Sequence, residues 1–312
     1  RKAGLPTSLL IQPDVVIPLQ AQFQLLEFAA RETGDTFFGA RLGQVVRVKD
    51  LSAFGTWVCE SETLSQAIDR CNSGLSRMLQ TGTRLELQRH GSRIQWSIEF
   101  LEPQCPGRRH NEFLGLSYMI DAVRSFAGSH WRPEAVMAGL PVSTPRMELE
   151  NIFRTNVSNG HRVPAIEFDA ALLGARRPAT LAMQMSRLDS ISVVPPEGDF
   201  IAGVKSVIEL ALCDGYPRID WVGKMLGVSR RNFQRSLAAC GTNYNSLVEA
   251  ALLRRAKALL DGSGLPITEI ALELGYNDPA HFTRAFKRWM GITPSAYRVS
   301  PNECERPPSG TA

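Results

Sequence analysis

Two segments in the last third of the chain repeat one arrangement of residues. In each, a short apolar segment ends at a glycine, Gly227 or Gly275, and an arginine-containing segment follows. The two glycines lie 48 residues apart. Because glycine adopts the left-handed conformation that ends a helix in a tight turn, the pattern predicts two helix–turn–helix units.

The second helix of each unit is expected to have a buried face and a cationic face. Phe233 and Leu237 lie four residues apart in the first unit, and so do Phe282 and Phe286 in the second. Residues at this spacing share one face of a helix, so we expect both pairs to be buried. The opposite faces then carry cations and amides, which suit phosphate oxygens and base edges in the major groove.

These two faces supply the candidate contact residues. In the first unit they are Ser229, Arg230, Arg231, Asn232, Gln234 and Arg235. In the second unit they are Asn277, Asp278, His281, Thr283, Arg284, Lys287 and Arg288. We expect phosphate contacts from Arg235, Lys287, Arg288 and, outside these helices, Lys224; base contacts are expected among the rest. Ser229 can also cap its helix, Asn277 or Asp278 can cap the other, and Pro279 suits a first helical turn.

One helix–glycine–helix segment with arginine on one face is more often an ordinary solvated hairpin. The sequence around the second copy separates the two interpretations. Residues 261–298 closely resemble the signature of the AraC/XylS family of bacterial transcriptional regulators. The hallmark runs are Ile270-Ala271 to Gly275-Tyr276, Phe282-Thr283-Arg284-Ala285-Phe286-Lys287, and Gly291-Ile292-Thr293-Pro294 to Tyr297-Arg298. Trp289 and Met290 stand where the family is often more polar, which we interpret as local packing.

The resemblance covers residues 200–298 and implies two helix–turn–helix units joined by a long helix over 244–260. In the family, both recognition helices can enter successive major-groove faces of one double-stranded DNA site. Those faces lie about one helical turn, ~34 Å or ~10 base pairs, apart. We therefore expect the DNA partner to contain paired elements at that spacing.

The first 190 residues combine helical and strand patterns. Apolar residues at three- and four-residue spacing predict helices over 19–33, 64–80, 112–127 and 144–153. Alternating apolar residues predict a β-hairpin over 83–101, and short strands are predicted over 135–140 and 165–168. The expected fold is an α+β N-terminal domain with a few antiparallel strands, followed by an all-α C-terminal domain. Its helices are predicted over 200–213, 219–226, 230–239, 244–260, 267–274, 279–290 and 294–297.

Prolines and glycine over 193–199 mark the best domain boundary. The predicted organisation is an N-terminal arm over 1–14, an effector-binding or dimerisation domain over 15–192 and a linker over 193–199. A DNA-binding domain over 200–300 and a disordered tail over 301–312 follow.

The N-terminal half also has a family resemblance. Residues 28–43 and 165–173 are similar to the opening and closing segments of the α+β effector domain in one AraC-family branch. This resemblance implies a module that binds an effector or associates with itself. Candidates for an apolar effector pocket are Trp57, Trp96, Phe100, Tyr118, Phe126 and Trp131. The alternative, that each is a plain core aromatic residue, stays open.

Composition restricts the remaining classes of protein. Hydrophobic residues make up 44% and charged residues 21% of 312 residues, as in an ordinary soluble protein. Residues 199–300 carry 13 Lys and Arg against 9 Asp and Glu, which is the whole net charge of +4 and suggests an anionic partner there. The six cysteines form no CxxC pair, so we expect reduced thiols rather than a metal site.

The sequence thus predicts a cytoplasmic transcriptional regulator, in the first place an activator, with no cofactor and no catalytic site. No phosphate-binding glycine loop, GxSxG elbow or HExxH motif is found. The expected partners are DNA, an unidentified small-molecule effector, RNA polymerase and a second copy of the chain. The alternative is a constitutive or partner-controlled regulator whose N-terminal domain only dimerises.

Overall fold

The computed structural model of the chain describes residues 5–6, 9, 16–178, 194–195 and 198–299. It divides into two compact units, Pro18–Asp199 and Phe200–Ala312, with Arg1–Ile17 grouped with the second. The predicted arm, linker and tail lie largely outside the described residues, so those boundaries stay predictions.

Six α-helices are described in the N-terminal unit. They are α1 (Leu19–Thr33), α2 (Phe38–Leu42), α3 (Ser52–Cys59), α4 (Leu64–Met78), α5 (Arg108–Ala127) and α6 (Met147–Phe153). Two 3-10 helices, Val48–Asp50 and Ala170–Gly174, are also present. The helix expected over 112–127 begins four residues earlier because Arg108 and Glu112 are both buried and paired, with Nε and Oε1 2.9 Å apart.

A five-stranded sheet packs against these helices. Its strands are β1 (Thr83–His90), β2 (Arg93–Phe100), β3 (Ala135–Met137), β4 (Asn156–Ser158) and β5 (Ala165–Asp169), in the order β1-β2-β5-β3-β4. The predicted hairpin is confirmed, with His90 opposite Arg93 across the turn. The expected antiparallel strands are confirmed in the pairs β1–β2, β2–β5 and β3–β5, and β3 also pairs in parallel with β4.

The C-terminal unit is all-helical in its described residues. Its helices are α7 (Phe200–Leu212), α8 (Ile219–Met225), α9 (Arg230–Ala239), α10 (Tyr244–Gly262), α11 (Ile267–Glu273), α12 (Pro279–Met290) and α13 (Pro294–Val299). The predicted fold class, α+β followed by all-α, is therefore confirmed. The buried apolar residues form two clusters with no member in common, one in each unit.

None of the helices described here is both long enough and apolar enough to cross a lipid bilayer.

Candidate nucleic-acid interface

The turn between α8 and α9 ends the first helix with a glycine in the left-handed region. Gly227 has φ 68°. The amide of Val228 donates to the carbonyl of Gly223 at 2.9 Å, and the amide of Gly227 donates to the carbonyl of Lys224 at 3.1 Å. These bonds satisfy two carbonyls that a helix end leaves without partners. The chain can therefore turn tightly into α9.

The turn between α11 and α12 repeats the same bonds 48 residues later. The amide of Tyr276 donates to the carbonyl of Ala271 at 2.9 Å, and that of Gly275 donates to Leu272, also at 2.9 Å. Gly275 has φ 82°, and a Cβ at this position would lie 2.5 Å from the backbone nitrogen of Tyr216. The second turn thus excludes a side chain at residue 275 by conformation and by space.

Polar side chains then cap both recognition helices. The Ser229 hydroxyl accepts from the amide of Asn232 at 3.4 Å, and the Asp278 carboxylate accepts from that of Ala280 at 2.8 Å. Between Asn277 and Asp278, which the sequence left open, the structure makes Asp278 the cap. The cap follows its glycine by two residues in the first turn and by three in the second.

The apolar partners of each recognition helix are fully buried, as the spacing predicts. Phe233 and Leu237 are at most 1% exposed, and Phe282 and Phe286 are 0% exposed. Phe233 meets the Tyr244 ring edge-on at 5.8 Å between centroids. Since one face of each helix is held in the core, its opposite face is fixed toward the outside. Trp289 and Met290 are half-buried and pack against the same core, which fits local packing.

Several side chains of α9 occupy the same position in their helix as side chains of α12 do in theirs. In both helices the first buried phenylalanine follows the cap by four residues. Asn232 therefore corresponds to His281, and Arg235 corresponds to Arg284. The sequence analysis assigned Arg235 to phosphate and Arg284 to bases, but the two occupy the same position of their helices.

Twelve of the thirteen candidate residues in these two units are exposed, and Thr283 is half-buried. The Thr283 hydroxyl donates to the carbonyl of Pro279 at 3.0 Å within its own helix. The hydroxyl proton is therefore used locally, and only the oxygen lone pairs remain for an outside partner.

Some of the candidate cations form ion pairs with carboxylates of the same unit. Arg230 lies 3.3 Å from the Asp220 carboxylate of α8, and Arg288 pairs with Glu249 of α10. The His281 Nε2 lies 3.5 Å from the Asp278 carboxylate. Neither Asp220 nor Glu249 is close in sequence to its partner, so the linear pattern holds no signal for these pairs.

The other cations of the two helices make no ion pair with any described residue. They are Arg231, Arg235, Arg284 and Lys287, and Lys224 of α8 shares this state. In contrast, Arg254 and Arg255 elsewhere in this unit are paired with Glu209 and Glu273. The exposed faces of the two recognition helices thus carry four cations without a carboxylate partner, although Lys205, Arg218, Lys257 and Arg298 elsewhere in this unit also make no ion pair with a described residue.

The helix between the two units is suited to hold them at a fixed separation. Helix α10 has 19 residues, about 28 Å at ~1.5 Å per residue. Its N-terminus is capped by Asn243, whose side-chain oxygen accepts from the amide of Ser246 at 3.0 Å. The Tyr244 hydroxyl donates to the carbonyl of Pro217 at 2.9 Å.

Burial raises the pKa of Tyr276 to about 12, so this side chain beside the second turn stays neutral.

The N-terminal unit holds an apolar cavity of about 160 Å³ between α5 and the sheet. One face of α5 contributes Asn111, Leu114, Tyr118 and neighbouring residues, and β2 contributes Trp96, Ile98 and Phe100. Of the six predicted pocket aromatics, Trp96, Phe100 and Tyr118 line this wall. Trp57, Phe126 and Trp131 do not: Trp57 packs beneath the Arg70 guanidinium at 5.1 Å, and Trp131 meets Phe168 edge-on at 6.1 Å. Phe126 is a buried core residue near the end of α5.

The polar groups of this wall are few and carry no charge. The wall contains no acidic or basic side chain. Asn111 is 4% exposed, and its side-chain oxygen Oδ1 is buried without a hydrogen-bond partner among the described residues. Burial raises the pKa of Tyr118 to about 12, so its hydroxyl keeps its proton. The sequence analysis missed Asn111, although its spacing from Leu114 and Tyr118 places it on the same helix face.

The described cysteines form no disulfide with one another, and Cys304 lies outside the described residues. Burial raises the pKa of the Cys71 thiol, which also lines the cavity, so it stays protonated and a poor nucleophile. Among the residues that the structure covers, no group of three His, Cys, Asp or Glu side chains could hold a metal ion.

Two family models match the chain. A model of the arabinose-binding N-terminal domain of AraC transcription regulators matches residues 1–176, which is more than half of the 312 residues. A model of a helix-turn-helix domain matches residues 222–300.

Several curated proteins are similar to the chain. The ornithine utilization regulator of Pseudomonas aeruginosa is 32% identical over 125 residues, which cover 40% of this chain and 37% of that protein. The regulator VqsM of the same organism is 36% identical over 103 residues, 32% of each chain. The matched part of this chain thus spans about a third of the length of these two relatives. The regulator VirS of Mycobacterium tuberculosis is 24% identical over 310 residues, 96% of this chain and 89% of that protein.

Among solved structures, the transcriptional regulator CdpR from Pseudomonas aeruginosa aligns with a TM-score of 0.41 and 22% identity, over 95% of this chain and 97% of that one. The matched domains and relatives are transcriptional regulators and not enzymes.

Proposed function

We propose how this chain, which belongs to the AraC family of DNA-binding transcriptional regulators, contacts DNA. Helices α9 and α12 enter successive major-groove faces of one DNA site. The observation that supports this most is the unpaired positive charge on their exposed faces. These two faces carry four cations, Arg231, Arg235, Arg284 and Lys287, without a carboxylate partner among the described residues. The DNA backbone supplies the missing counter-charge.

The proposed contacts follow from which side chains are free. Arg231, Arg235 and Arg284 can each form two hydrogen bonds with a guanine edge, and Asn232 and Gln234 can do so with adenine. Lys224 and Lys287 contact phosphate. Arg230 and Arg288 first have to leave their carboxylate partners, so we assign them a smaller part in binding.

Selection from a random duplex library tests this assignment. The wild-type chain should retain sites with two conserved elements about ten base pairs apart. Arg231→Ala should blur one element and leave the other sharp, whereas Arg284→Ala should blur only the other. If both variants blurred the same element, or neither changed the selected sequence, the two-helix assignment would be wrong.

We further propose that a small effector binds in the cavity of the N-terminal unit. Its volume is close to the ~150 Å³ of an engineered apolar cavity that takes up benzene. A concave, mostly apolar site with a few polar groups is the usual form of a ligand pocket. Since no charged side chain lines the wall, the effector class is a neutral molecule of about the size of one ring, hydrogen-bonded to the Asn111 amide.

Filling the cavity tests effector control. Ala122 lies in the wall and is buried, so Ala122→Leu should occupy part of the space without adding a polar group. The variant should keep its DNA affinity but lose any thermal stabilisation that the wild type shows with a panel of neutral aromatic and aliphatic alcohols and amides. Asn111→Leu should lose stabilisation by the hydrogen-bonding members of the panel and keep that by the plain hydrocarbons.

The remaining roles belong to the same proposal. The effector favours one arrangement of two associated chains over another, since a ligand shifts an equilibrium only by binding one state better. The regulator then activates transcription through contact with RNA polymerase, in the cytoplasm where bacterial DNA lies. If no member of the panel stabilises the wild type and neither cavity variant alters regulation, the result would favour the alternative, in which the N-terminal domain dimerises and binds no ligand.

A further inference from the structure

A second concave site in the N-terminal unit has the opposite character to the apolar cavity. It is an open cleft of about 970 Å³ between α2, the end of α5 and α6. Its basic side chains are Arg41, Arg47, Arg124, His130, Arg132 and Arg154. Residues 18–199 as a whole carry 19 Lys and Arg against 20 Asp and Glu, so this concentration of guanidinium groups does not reflect a basic domain.

The two carboxylates of the cleft are already occupied. Asp121 accepts from Arg47 at 3.0 Å and from the backbone amide of Val48 at 2.8 Å. Glu148 pairs with Arg41, which also reaches Asp35 at 3.0 Å.

Three guanidinium groups of the cleft therefore remain without a carboxylate. Arg124, Arg132 and Arg154 make no ion pair with any residue that the structure describes. Burial lowers the pKa of Arg124, and the charges of Arg47, Arg154 and Arg132 lower it further against the opposing effect of Asp121. Arg124 thus lies within electrostatic range of both Arg132 and Arg154, and all three line the same cleft.

The backbone at Arg154 gives a second, independent reason to assign this cleft a function. Arg154 ends α6 with φ 56° and ψ 41°, a conformation that usually belongs to glycine or asparagine. Among the described residues only Ser52 and Arg154 combine a side chain with positive φ. Residues held in such sparsely populated backbone conformations cluster at functional sites.

We propose that this cleft binds a small multivalent oxyanion, of the class of a polycarboxylate or a phosphorylated metabolite. Clustered anionic oxygens can take two parallel hydrogen bonds from each guanidinium, and Ser129 and Asn151 add neutral hydrogen-bonding groups to the lining. The concave shape favours a small molecule over a nucleic-acid backbone. The site shares no lining residue with the apolar cavity, so the proposal is independent of the proposed effector.

Calorimetric titration of the full chain with citrate and with inorganic pyrophosphate tests the proposal. Either anion should bind with a dissociation constant well below that of sodium sulfate, at ionic strength matched with sodium chloride. Preference for citrate or for pyrophosphate distinguishes the polycarboxylate from the phosphate class. If neither anion bound more tightly than sulfate, the proposal would be overturned.

Four variants decide where the anion binds. Arg132→Gln and Arg154→Gly should each weaken binding by about tenfold or more, as expected for loss of a charge-assisted hydrogen bond. Arg109→Gln, at an exposed arginine outside the cleft, should change the dissociation constant less than twofold. Sensitivity to Arg284→Gln instead would place the anion on the DNA-reading helices and contradict the proposal.

The glycine variant also separates binding from a structural role. Glycine fits the left-handed backbone at residue 154, so Arg154→Gly should unfold at the same temperature as the wild type or a higher one, while binding is lost. A variant that is destabilised yet binds the anion normally would show that Arg154 only ends the helix. Loss of non-specific DNA affinity in Arg132→Gln and Arg154→Gly, without anion binding in the wild type, would identify a nucleic-acid contact instead and would also overturn the proposal.

Discussion

Arg230 and Arg231 are neighbours in α9, yet their side chains are in different states. Arg230 has the Asp220 carboxylate at 3.3 Å, whereas Arg231 has no carboxylate partner among the described residues. A cation that is already paired gains less from DNA, because it gives up one partner to take another. The same contrast holds between Arg288 and Arg284 in α12.

We predict that Arg231→Ala weakens binding to the selected site by about tenfold or more, the loss of one good base contact at roughly 1–3 kcal/mol. Arg230→Ala removes the same charge and serves as the matched control, with a smaller expected loss. Fluorescence anisotropy with one labelled duplex measures both. Equal losses in the two variants would mean that the contacts depend on charge alone and not on the pairing seen in the structure.

The second helix–turn–helix unit depends on one glycine for two reasons. Gly275 has positive φ and also contacts the backbone of Tyr216 too closely for a Cβ. Gly241, after α9, has a similar φ of 70° with nothing within 4 Å of a Cβ. The two glycines therefore separate conformational strain from steric exclusion.

We predict that Gly275→Ala destabilises the C-terminal unit more than Gly241→Ala does. Both substitutions incur the left-handed cost of roughly 1–2 kcal/mol, and the first adds a backbone displacement of roughly 1–3 kcal/mol. Urea unfolding of the full chain, followed by circular dichroism at the helical signal, measures the difference. Equal free energies of unfolding for the two variants would show that the 215–216 segment moves away without cost.

Local signals explain why the recognition helices could be predicted. The bounds of α9 and α12 agree with the sequence prediction because each helix has strong local signals. A capping residue marks the start of each helix, a proline or glycine lies near its ends, and a pair of phenylalanine or leucine residues defines its buried face. The hairpin β1–β2 is equally local, since its alternating apolar residues show the buried face.

Elements without such signals were missed. Helix α2 has five residues and β4 has three, too few to display a period. The parallel pairing of β3 with β4 and the ion pairs of Arg230 and Arg288 depend on residues distant in sequence. The cavity shows the same limit, because aromatic residue type alone could not separate Trp96 and Tyr118 in its wall from Trp57, Phe126 and Trp131 outside it.

Each unit of the molecule has a hydrophobic core of its own. No buried residue of the C-terminal cluster belongs to the N-terminal one, so we propose that residues 199–300 fold and bind DNA alone. This fragment also carries the whole net positive charge.

We predict that the 199–300 fragment binds DNA with a steep salt dependence. If Lys224 and Lys287 each displace a phosphate counterion, the logarithm of affinity should fall with the logarithm of salt concentration at a slope of roughly −2 or steeper. Titrations between about 50 and 200 mM salt give the slope. Lys287→Ala should reduce it by about one, and a flat response would contradict phosphate contacts.

The central claim is that one chain reads paired DNA elements with α9 and α12. Its most direct test is to incubate the full chain with sheared DNA from its source bacterium and to sequence the fragments that it retains. If both helices read one DNA site, we expect enrichment of a few sites with two elements about one helical turn apart. If neither the full chain nor the 199–300 fragment enriched any sequence, or if the enriched sites held a single element, the claim would be contradicted.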